Sequence, residues 1–352
     1  MMNMRLSICR LVAVLMMIVF QTGATTAQEF EKNILTGGPT GTYIQFGRNI
    51  ADLTASCGLT LNVRESAGSL ENFLGVRQRR FTQFGIVQSD VLEYLRTYAA
   101  DDPSIARAVA GVRIAFPLYN EEIHLLARRD IGSLQDLAGK NIAIGVADSG
   151  TFLTASLVLD LAGLDTVNRM TIGPDDSLQR LLAGSIDGFF YVAGAPTRIF
   201  DDPNITADRF HLVPLTDSVL NAVYAPARLE SGTYPFQTEP VDLVAVKAVL
   251  MTYDYAKNRN YYHRESCKAV SDVVHLILTR FASLRENGHP KWNQVDPTDI
   301  PPGWEIGSCV NEGLSADYKM DCSMAQPAAT GDDPSAANQI YRSRICEALG
   351  SC

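Results

Sequence analysis

Residues Ile34–Gly47 read ILTGGPTGTYIQFG, a stretch with four glycines and a proline that separates two apolar segments. The segment before it, Asn33–Leu35, has the composition of a strand, and the apolar residues after Thr42 recur at helical spacing. A glycine-rich turn from a strand into a helix is typical of parallel α/β sheets, whose ligands bind beyond the carboxyl ends of the strands. The stretch therefore predicts an α/β fold with a binding site near this turn.

Strand-like and helical segments continue to alternate along most of the chain. The predicted strands are Asn33–Leu35, Leu61–Glu65, Phe84–Val87, Ala108–Ala115, Ile123–Ala127, Asn141–Val146 and Asp187–Val192. The predicted helices are Tyr43–Cys57, Leu70–Gln78, Thr151–Ala162, Leu178–Gly184, Val241–Thr252 and Ser266–Leu284. Alternation of this kind predicts mainly parallel sheets covered by helices on both faces.

Glycine-rich turns commonly bind a phosphate, but this turn lacks the residues that phosphate binding requires. A P-loop requires Gly-Lys-Ser/Thr after its spacer, whereas Gly41 is followed by Thr42 and Tyr43. The run also lacks the G-x-G-x-x-G pattern of dinucleotide-binding turns. Its main-chain N–H groups can still bind an anion at the start of the helix. Taken alone, the loop is equally compatible with a tight turn that binds nothing.

Four further segments repeat this design at the end of a predicted strand. They read ESAGSLEN (Glu65–Asn72), GIVQSD (Gly85–Asp90), GVADSGT (Gly145–Thr151) and FFYVAGAP (Phe189–Pro196). Helix N-capping alone would explain Ser69, Ser89 or Ser149. Five such corners together predict a shared cleft lined by uncharged hydrogen-bonding groups.

The N-terminus has the features of a secretory signal peptide. Arg5 and Arg10 precede the apolar run Leu11–Phe20, and small residues follow up to Ala27. The sequence therefore predicts a signal peptide over residues 1–27, cleavage before Gln28, and export to the periplasm. An apolar run of about ten residues is too short for a membrane anchor, which needs about 20.

The charge balance excludes two classes of partner. Without the signal peptide, 28 Lys and Arg residues remain against 39 Asp and Glu residues, a net charge of −11. Binding to nucleic acid or to anionic lipid depends on clustered basic residues. No later stretch of the sequence is apolar enough to span a bilayer. The composition therefore predicts no nucleic-acid partner and no membrane insertion.

Six cysteines remain after removal of the signal peptide, and an even number in an exported chain predicts disulfides. Five of them follow residue 260. Six cysteines allow fifteen pairings, of which the sequence favours two local ones. These candidate disulfides are Cys309–Cys322 and Cys346–Cys352. A zinc site is the competing interpretation, but no C-x-x-C pair or His pair has ligand spacing.

The sequence does not carry the residue patterns of a catalytic site. The five histidines are dispersed, and Ser149 lies in D-S-G rather than in the G-x-S-x-G elbow of a hydrolase. Asp90 and Asp148 could form an acid–base pair, although aspartate in such positions more commonly caps a helix. We therefore predict a protein that is not an enzyme and has neither a metal nor a cofactor, with an exported enzyme as the less favoured alternative.

The ordered set of motifs resembles the TAXI group, the extracytoplasmic solute receptors of TRAP transporters. The matching segments are G-G-x-x-G-x-Y (Gly37–Tyr43), the Glu65–Asn72 corner, Q-S-D (Gln88–Asp90), S-G-T (Ser149–Thr151) and I-D-x-F-F-x-V-A-G (Ile186–Gly194). LYNEEIHLLAR (Leu118–Arg128) is similar to the segment that leads into the family's hinge, and Gly232–Val246 to the returning one. The resemblance covers about Ile34–Leu284.

This resemblance implies an α/β, type II periplasmic binding protein with two Rossmann-like lobes joined by crossover hinge strands. The implied domains are the signal peptide (1–27), lobe one, first part (28–119), lobe two (120–222), a return to lobe one with C-terminal helices (223–285) and a Cys-containing C-terminal extension (286–352). The lobe changes would fall near Leu118–Ile123 and Leu220–Tyr224. The extension does not match the family.

The resemblance also implies a ligand and the residues that bind it. Known ligands of the family are small carboxylates, chiefly glutamate and related amino or oxo dicarboxylic acids. The implied ligand-binding residues are Gly41, Thr42, Tyr43, Gln88, Ser89, Ser149, Gly150, Thr151, Gly194 and Ala195. One departure is Asp148, which stands where glycine is usual. If its carboxylate points inward it would repel a dicarboxylate, and if it faces solvent it changes nothing.

Together these features predict a periplasmic receptor that captures a small organic acid or amino acid by lobe closure and delivers it to the membrane subunits of a TRAP transporter. The alternative is a ligand-binding sensory or scaffolding protein of the same fold with no transport role.

Overall fold

One mixed sheet of ten strands organises the computed structural model, which describes residues 30–255, 260–320 and 322. The strands are β1 (Asn33–Leu35), β2 (Asn62–Arg64), β3 (Thr82–Gln88), β4 (Val112–Arg128), β5 (Asn141–Ala143), β6 (Asn168–Met170), β7 (Gly188–Ala193), β8 (Phe210–Leu212), β9 (Ala225–Leu229) and β10 (Val241–Tyr253). Their order is β2-β1-β3-β10-β4-β7-β5-β6, with β8 beside β4 and β9 beside β10. The predicted signal peptide lies outside the described residues.

Helices cover the sheet and connect most of the parallel strands. They are α1 (Thr42–Ala55), α2 (Ser69–Gln78), α3 (Val91–Tyr98), α4 (Pro103–Gly111), α5 (Gly150–Leu161), α6 (Pro174–Leu182), α7 (Ser218–Asn221), α8 (Tyr261–Thr279), α9 (Phe281–Asn287) and α10 (Ser308–Leu314). Within the described ranges, none of these helices combines the length and apolar character that a membrane span requires.

Two long strands divide the sheet into two halves. β4 pairs with β10 up to Glu122 and then with β7 from Glu122 onward, both antiparallel. On either side of this pair the strands run parallel, as β2-β1-β3 in one half and β6-β5-β7 in the other. The α/β fold with two lobes joined by crossover strands, predicted above, is confirmed.

The hydrophobic cores follow the same division. One core is built from residues between Ile123 and Val246, and we call this half lobe two. The residues Ile34–Tyr119 and Ala248–Val310 supply the cores of the other half, lobe one. The domain boundaries predicted above, at 119/120 and 222/223, stay predictions.

Helix α5 packs on both lobes. Ala155 and Val158 belong to the core of lobe two. Leu153 and Leu157, on the other side of the helix, pack into the lobe-one cluster that contains Phe73. Because side chains from both lobes bury apolar surface against this helix, its N-terminus is fixed where the lobes meet.

Two predicted elements are wrong, one of them only in part. Val241–Thr252 is predicted as a helix but forms strand β10, since β3, β4 and β9 pair with it and most of its residues are buried on both faces. A continuous apolar segment of this kind has no periodicity that separates strand from helix. Ala108–Ala115 is predicted as a strand, which is wrong for Ala108–Gly111, where α4 continues, and right for Val112–Ala115, which begin β4. Asp102 caps that helix by accepting hydrogen bonds from the N–H groups of Ser104 and Ile105.

The segment after Glu286, predicted as a C-terminal extension, is partly built into lobe one. Trp292 is completely buried and stacks on Phe46 of α1, with ring centroids 4.4 Å apart. Its indole N–H donates to Asn49 at 3.1 Å, and Trp304 donates to the carbonyl of Ser89 at 3.0 Å. Isolated aromatic residues in an irregular segment give no periodic signal, so the sequence did not reveal this packing.

The cysteines pair differently from the predicted local arrangement. Cys267 on α8 pairs with Cys309 on α10, and Cys57 pairs with Cys322. The predicted Cys309–Cys322 bond is therefore wrong, because the packing of α10 on α8 brings Cys309 to Cys267 (Cα–Cα 5.2 Å). Cys346 and Cys352 lie outside the described residues.

Candidate ligand-binding site

The predicted ligand residues lie where strands give way to the following segments. Gly41 is the N-cap of α1, and Tyr43 lies in its first turn. Gln88 is the last residue of β3, and Ser149 is the N-cap of α5. Gly194 follows the end of β7. The carboxyl ends of parallel strands share one edge of a sheet, which is where α/β proteins bind their ligands.

A hydrogen-bonded cluster occupies this edge in lobe one. Two tyrosine hydroxyls, those of Tyr43 and Tyr119, donate to the Oε2 and Oε1 atoms of Glu121 at 3.0 Å and 3.1 Å. The Ser69 hydroxyl donates to Gln88 Oε1 at 3.3 Å and accepts from the Gln88 N–H at 3.1 Å. Tyr43 Oη lies 3.4 Å from Ser69 Oγ, so the two parts form one buried cluster.

Main-chain atoms join this cluster to lobe two. The carbonyl of Asp148, just before α5, accepts hydrogen bonds from the N–H groups of Leu70 at 3.1 Å and Glu71 at 3.3 Å. These donors belong to the first turn of α2, whose N–H groups have no partner within the helix. The start of α2 in lobe one therefore binds the loop that begins α5 in lobe two. We call this junction, together with the adjoining Tyr43–Gln88 cluster, the lobe contact.

Two glycines make this close approach possible. Gly68 has φ +128°, and a Cβ there would lie 3.1 Å from the main-chain nitrogen of Gly150. A Cβ on Gly150 would overlap Gln88 Oε1 and lie 2.7 Å from Ser69 Oγ. Any side chain at either position would push the lobes apart.

The structure answers the question that Asp148 raises. Asp148 has φ +66°, a backbone conformation that glycine adopts most easily and aspartate tolerates. Its side chain is exposed, and its contribution to the lobe contact is its carbonyl. The carboxylate therefore faces solvent, which removes the objection to an anionic ligand.

Ser149 and Thr151 have structural partners of their own. The Ser149 hydroxyl accepts from the N–H of Phe152 at 3.1 Å, the usual bond of an N-cap serine. The Thr151 hydroxyl accepts from the N–H of Val192 at 3.1 Å and so ties α5 to the end of β7. Each hydroxyl keeps its own hydrogen for donation to another acceptor.

Gly194 and Ala195 lie beside a buried ion pair. Lys291 Nζ lies 2.6 Å and 3.0 Å from the two carboxylate oxygens of Glu122, and the lysine is 2% exposed. Glu122 also accepts the N–H of Ala195 at 2.6 Å, so the pair connects lobe one to lobe two. A Cβ on Gly194 would lie 2.9 Å from the ring of Tyr119.

Ser89 is separated from the other predicted residues. Its N–H donates to the carbonyl of Lys247 at 2.8 Å. Among the ten predicted ligand residues, Ser89 is the one that lines a cavity of about 740 Å³ next to α3 and α5. The structure therefore brings Tyr43, Gln88 and Gly150 into one contact and directs Ser89 to its other side.

Ser69, Glu121 and Glu122 belong to the contact but are absent from the predicted ligand residues. Ser69 lies in the Glu65–Asn72 corner, and both glutamates lie in the Leu118–Arg128 segment. The sequence indicates them only as residues of a helix corner and of the hinge. A signal was available, since two adjacent acids inside an otherwise apolar strand require buried partners. Their partners come from elements distant in sequence, so only the fold reveals them.

Burial determines the protonation of the acids at the contact. It raises the pKa of Glu121 to about 8, although the hydroxyls of Tyr43 and Tyr119 oppose the shift. Burial likewise raises the pKa of Asp90 to about 6. At neutral pH Glu121 is therefore largely protonated, and the centre of the cluster carries little negative charge to repel an anionic ligand.

The described residues offer no metal site at the lobe contact or elsewhere: residues 30–255, 260–320 and 322 contain no group of three His, Cys, Asp or Glu side chains placed around one ion. His124 illustrates the more common role of a buried histidine. It lies 2.9 Å from Tyr234 Oη and 3.1 Å from the carbonyl of Tyr191, and burial lowers its pKa to about 4. It is a neutral core residue.

The fold and the lobe contact define this chain as a two-lobed α/β protein of the type II binding-protein class. A comparison with protein families adds a more specific assignment. Residues 34–263 match the NMT1-like family, and the chain belongs to that family. The match ends before most of the cysteines and before Lys291.

Solved structures with a similar fold include several solute-binding proteins. The periplasmic sulfonate-binding protein SsuA of Methylobacillus flagellatus is 14% identical over 91% of this chain and 86% of its own, with a TM-score of 0.43. The amino acid transporter substrate-binding protein AbpA of Streptococcus pneumoniae, bound to L-arginine, is 11% identical over 76% and 97%, with a TM-score of 0.43. A TctC solute-binding protein from Polaromonas is 12% identical over 71% and 88%, with a TM-score of 0.39.

Proposed function

We propose that this chain is a periplasmic solute-binding receptor. It captures a small organic acid or amino acid, of the glutamate or oxo-dicarboxylate type, and leaves it chemically unchanged. The main observation is that Tyr43, Gln88 and Gly150, which come from three corners of two lobes, converge on one buried contact. Membership of the NMT1-like family supports the same class of function.

The ligand would bind by separating and then bridging groups that now contact each other. Donors suited to a carboxylate are the N–H groups at the start of α5 and the hydroxyls of Ser149 and Thr151. Tyr43 and Gln88 would contact the ligand from lobe one, with Gly41 and Thr42 beside them. Because contacts from both lobes exist only in the closed form, ligand shifts the population toward closure.

Delivery to the membrane subunits of a TRAP transporter is the further part of this proposal. It rests on the resemblance of the ordered motifs to the TAXI group and on the signal-peptide pattern of residues 1–27. Both predict a receptor that works outside the cytoplasm beside a membrane partner. Co-purification with TRAP membrane subunits, tested in detergent with and without ligand, distinguishes transport from the sensory or scaffolding alternative.

Calorimetric titration with L-glutamate and 2-oxoglutarate tests the ligand class. Wild-type protein is expected to bind at least one of them, and Thr151→Ala to weaken that binding at least tenfold, which corresponds to about 1.4 kcal/mol. Thr171→Ala, at an exposed threonine of lobe two, is the matched control and should retain wild-type affinity. Unchanged affinity in Thr151→Ala would remove this residue from the site, and no heat from either acid would refute the ligand class.

A further inference from the structure

A large cavity lies beside the lobe contact, on the side of α3 and α5. Its volume of about 740 Å³ falls within the range of about 300–1,000 Å³ that small-molecule sites occupy. Residues of both lobes line it, together with the crossover strands β4 and β10. Among the residues assigned above to the dicarboxylate, only Ser89 lines this cavity.

Asp90 is the most unusual residue of the lining. It is 8% exposed, and its Oδ2 atom accepts hydrogen bonds from Thr154 at 2.9 Å and Tyr224 at 3.0 Å. Its Oδ1 atom is buried and has no hydrogen-bond partner among the described residues. Asn120, also in the lining, has a second buried Oδ1 atom without such a partner. A buried oxygen left without a donor destabilises the folded state, so two of them beside one cavity indicate a missing donor.

The other charged groups of the lining have partners of opposite sign. Glu93 lies 3.9 Å from Arg96, and Asp160 lies 2.5 Å from Arg169. Lys247 pairs with Asp299. Asp90 differs because hydroxyl groups, not a cation, bind it. A cationic ligand in this cavity would therefore pair with the carboxylate of Asp90.

The remaining walls are largely apolar. They include Leu92, Leu157, Leu161, Val223 and Pro301. Val223 and Leu161 are 51% and 37% exposed, so part of the wall is accessible from solvent. Walls of this kind suit a hydrocarbon or aromatic body attached to the charged group.

We propose that this cavity is a second binding site, distinct from the Tyr43–Gln88–Gly150 contact, for a primary amine with an apolar body. The ammonium group donates to the unpartnered oxygens of Asp90 and Asn120, after a small side-chain adjustment that exposes them, and the body packs on the apolar walls. Thr154 and Tyr224, which lie outside lobe one, hydrogen-bond to Asp90 in lobe one. An amine bound at Asp90 therefore binds to the closed form, in which these groups meet. The proposal goes beyond the dicarboxylate receptor function and does not depend on it.

Calorimetric titration of the wild-type protein with phenethylamine tests the proposal, with 3-phenylpropanoate as a probe of the same shape and opposite charge. Wild type is expected to bind the amine at least tenfold more tightly than the acid. Asp90→Asn keeps an acceptor for Thr154 and Tyr224 but removes the charge, and should weaken amine binding at least tenfold. The matched control Glu93→Gln removes a rim charge that Arg96 already balances, and should stay within twofold of wild type.

A second variant guards against a loss of structure in Asp90→Asn. Val223→Trp places a bulky ring in the solvent-accessible part of the cavity and leaves Asp90 unsubstituted. It too should abolish amine binding, while the thermal unfolding temperature is retained. Absence of amine binding to the wild type, or equal binding by wild type and Asp90→Asn, overturns the proposal. The glutamate and 2-oxoglutarate titrations report separately on the other site, since Thr151→Ala should leave amine binding unchanged.

Discussion

The two sides of the lobe contact differ in how the space between the lobes is filled. On the Tyr43 side, hydrogen-bonded groups and two glycines fill the space so closely that a single Cβ would not fit. On the Asp90 side, a cavity of about 740 Å³ remains and two buried oxygens have no donor among the described residues. In this closed form, hydrogen-bonded groups of both lobes meet directly on one side, whereas on the other side two buried oxygens of the described residues lie beside open space without a donor.

The largest effect is expected on the filled side, from Lys291→Met. The substitution leaves Glu122 buried without a cation, and breaking such a pair costs about 3–5 kcal/mol of unfolding free energy. Urea unfolding measures the loss. Lys140→Met is the control, because its pair with Asp130 is more exposed and should contribute at most about 1 kcal/mol. A loss no larger than that of the control would mean that the pair does not brace the lobes.

Gly150→Ala breaks the filled side at its tightest point. The added methyl overlaps Gln88, and overpacking of this kind costs about 1–3 kcal/mol. The cost falls on the closed form, so the variant should show a larger radius of gyration by X-ray scattering and weaker glutamate or 2-oxoglutarate binding. Gly132→Ala, at an exposed glycine with room for a methyl, should match the wild type. A compact Gly150→Ala with normal affinity would contradict the closed geometry.

Glu121→Gln sharpens the electrostatic part of the comparison. The folded protein keeps the Glu121 proton up to pH about 8, whereas the unfolded chain releases it near 4.5, so its contribution to stability falls as pH rises between these values. From pH about 6 to about 8 the wild type should lose about 2 kcal/mol of unfolding free energy, and Glu121→Gln should lose less. Urea unfolding at both pH values checks this, with the exposed Glu239→Gln as control. Parallel profiles for Glu121→Gln and the wild type would refute it.

The smallest effect is expected on the open side. Ala222→Leu adds bulk at the cavity wall, where space is available, and should change the unfolding free energy by less than about 0.5 kcal/mol. The contrast with Gly150→Ala is the informative quantity, since both changes enlarge a small residue between the lobes. A loss comparable to that of Gly150→Ala would show that the cavity collapses in solution.

Local patterns in the sequence predict the corners well. The strand–turn–helix signals around Tyr43, Ser69 and Thr151 lie within a few residues of the observed elements, because glycine and N-cap residues act locally. β10 was missed because a strand paired along both edges and buried on both faces has no alternation to detect.

The residues that complete the site depend on contacts between distant segments. Glu121 meets Tyr43 across 78 positions, and Lys291 meets Glu122 across 169. The same holds for the disulfides, since Cys57 pairs with a cysteine 265 positions away. No spacing rule encodes such separations, so the sequence suggests candidate ligand residues, which stay a prediction, but not the charged groups that surround them.

Lys291 contributes to the packing of lobe one although it lies beyond the stretch that the family match covers. The stretch shared with the NMT1-like family stops at residue 263, yet the cation that neutralises Glu122 is supplied 28 positions later. A truncated protein that ends at residue 263 would leave the Glu122 carboxylate without its cation at the crossover between the lobes. The stretch that matches the family is therefore shorter than the part of the chain that packs as lobe one.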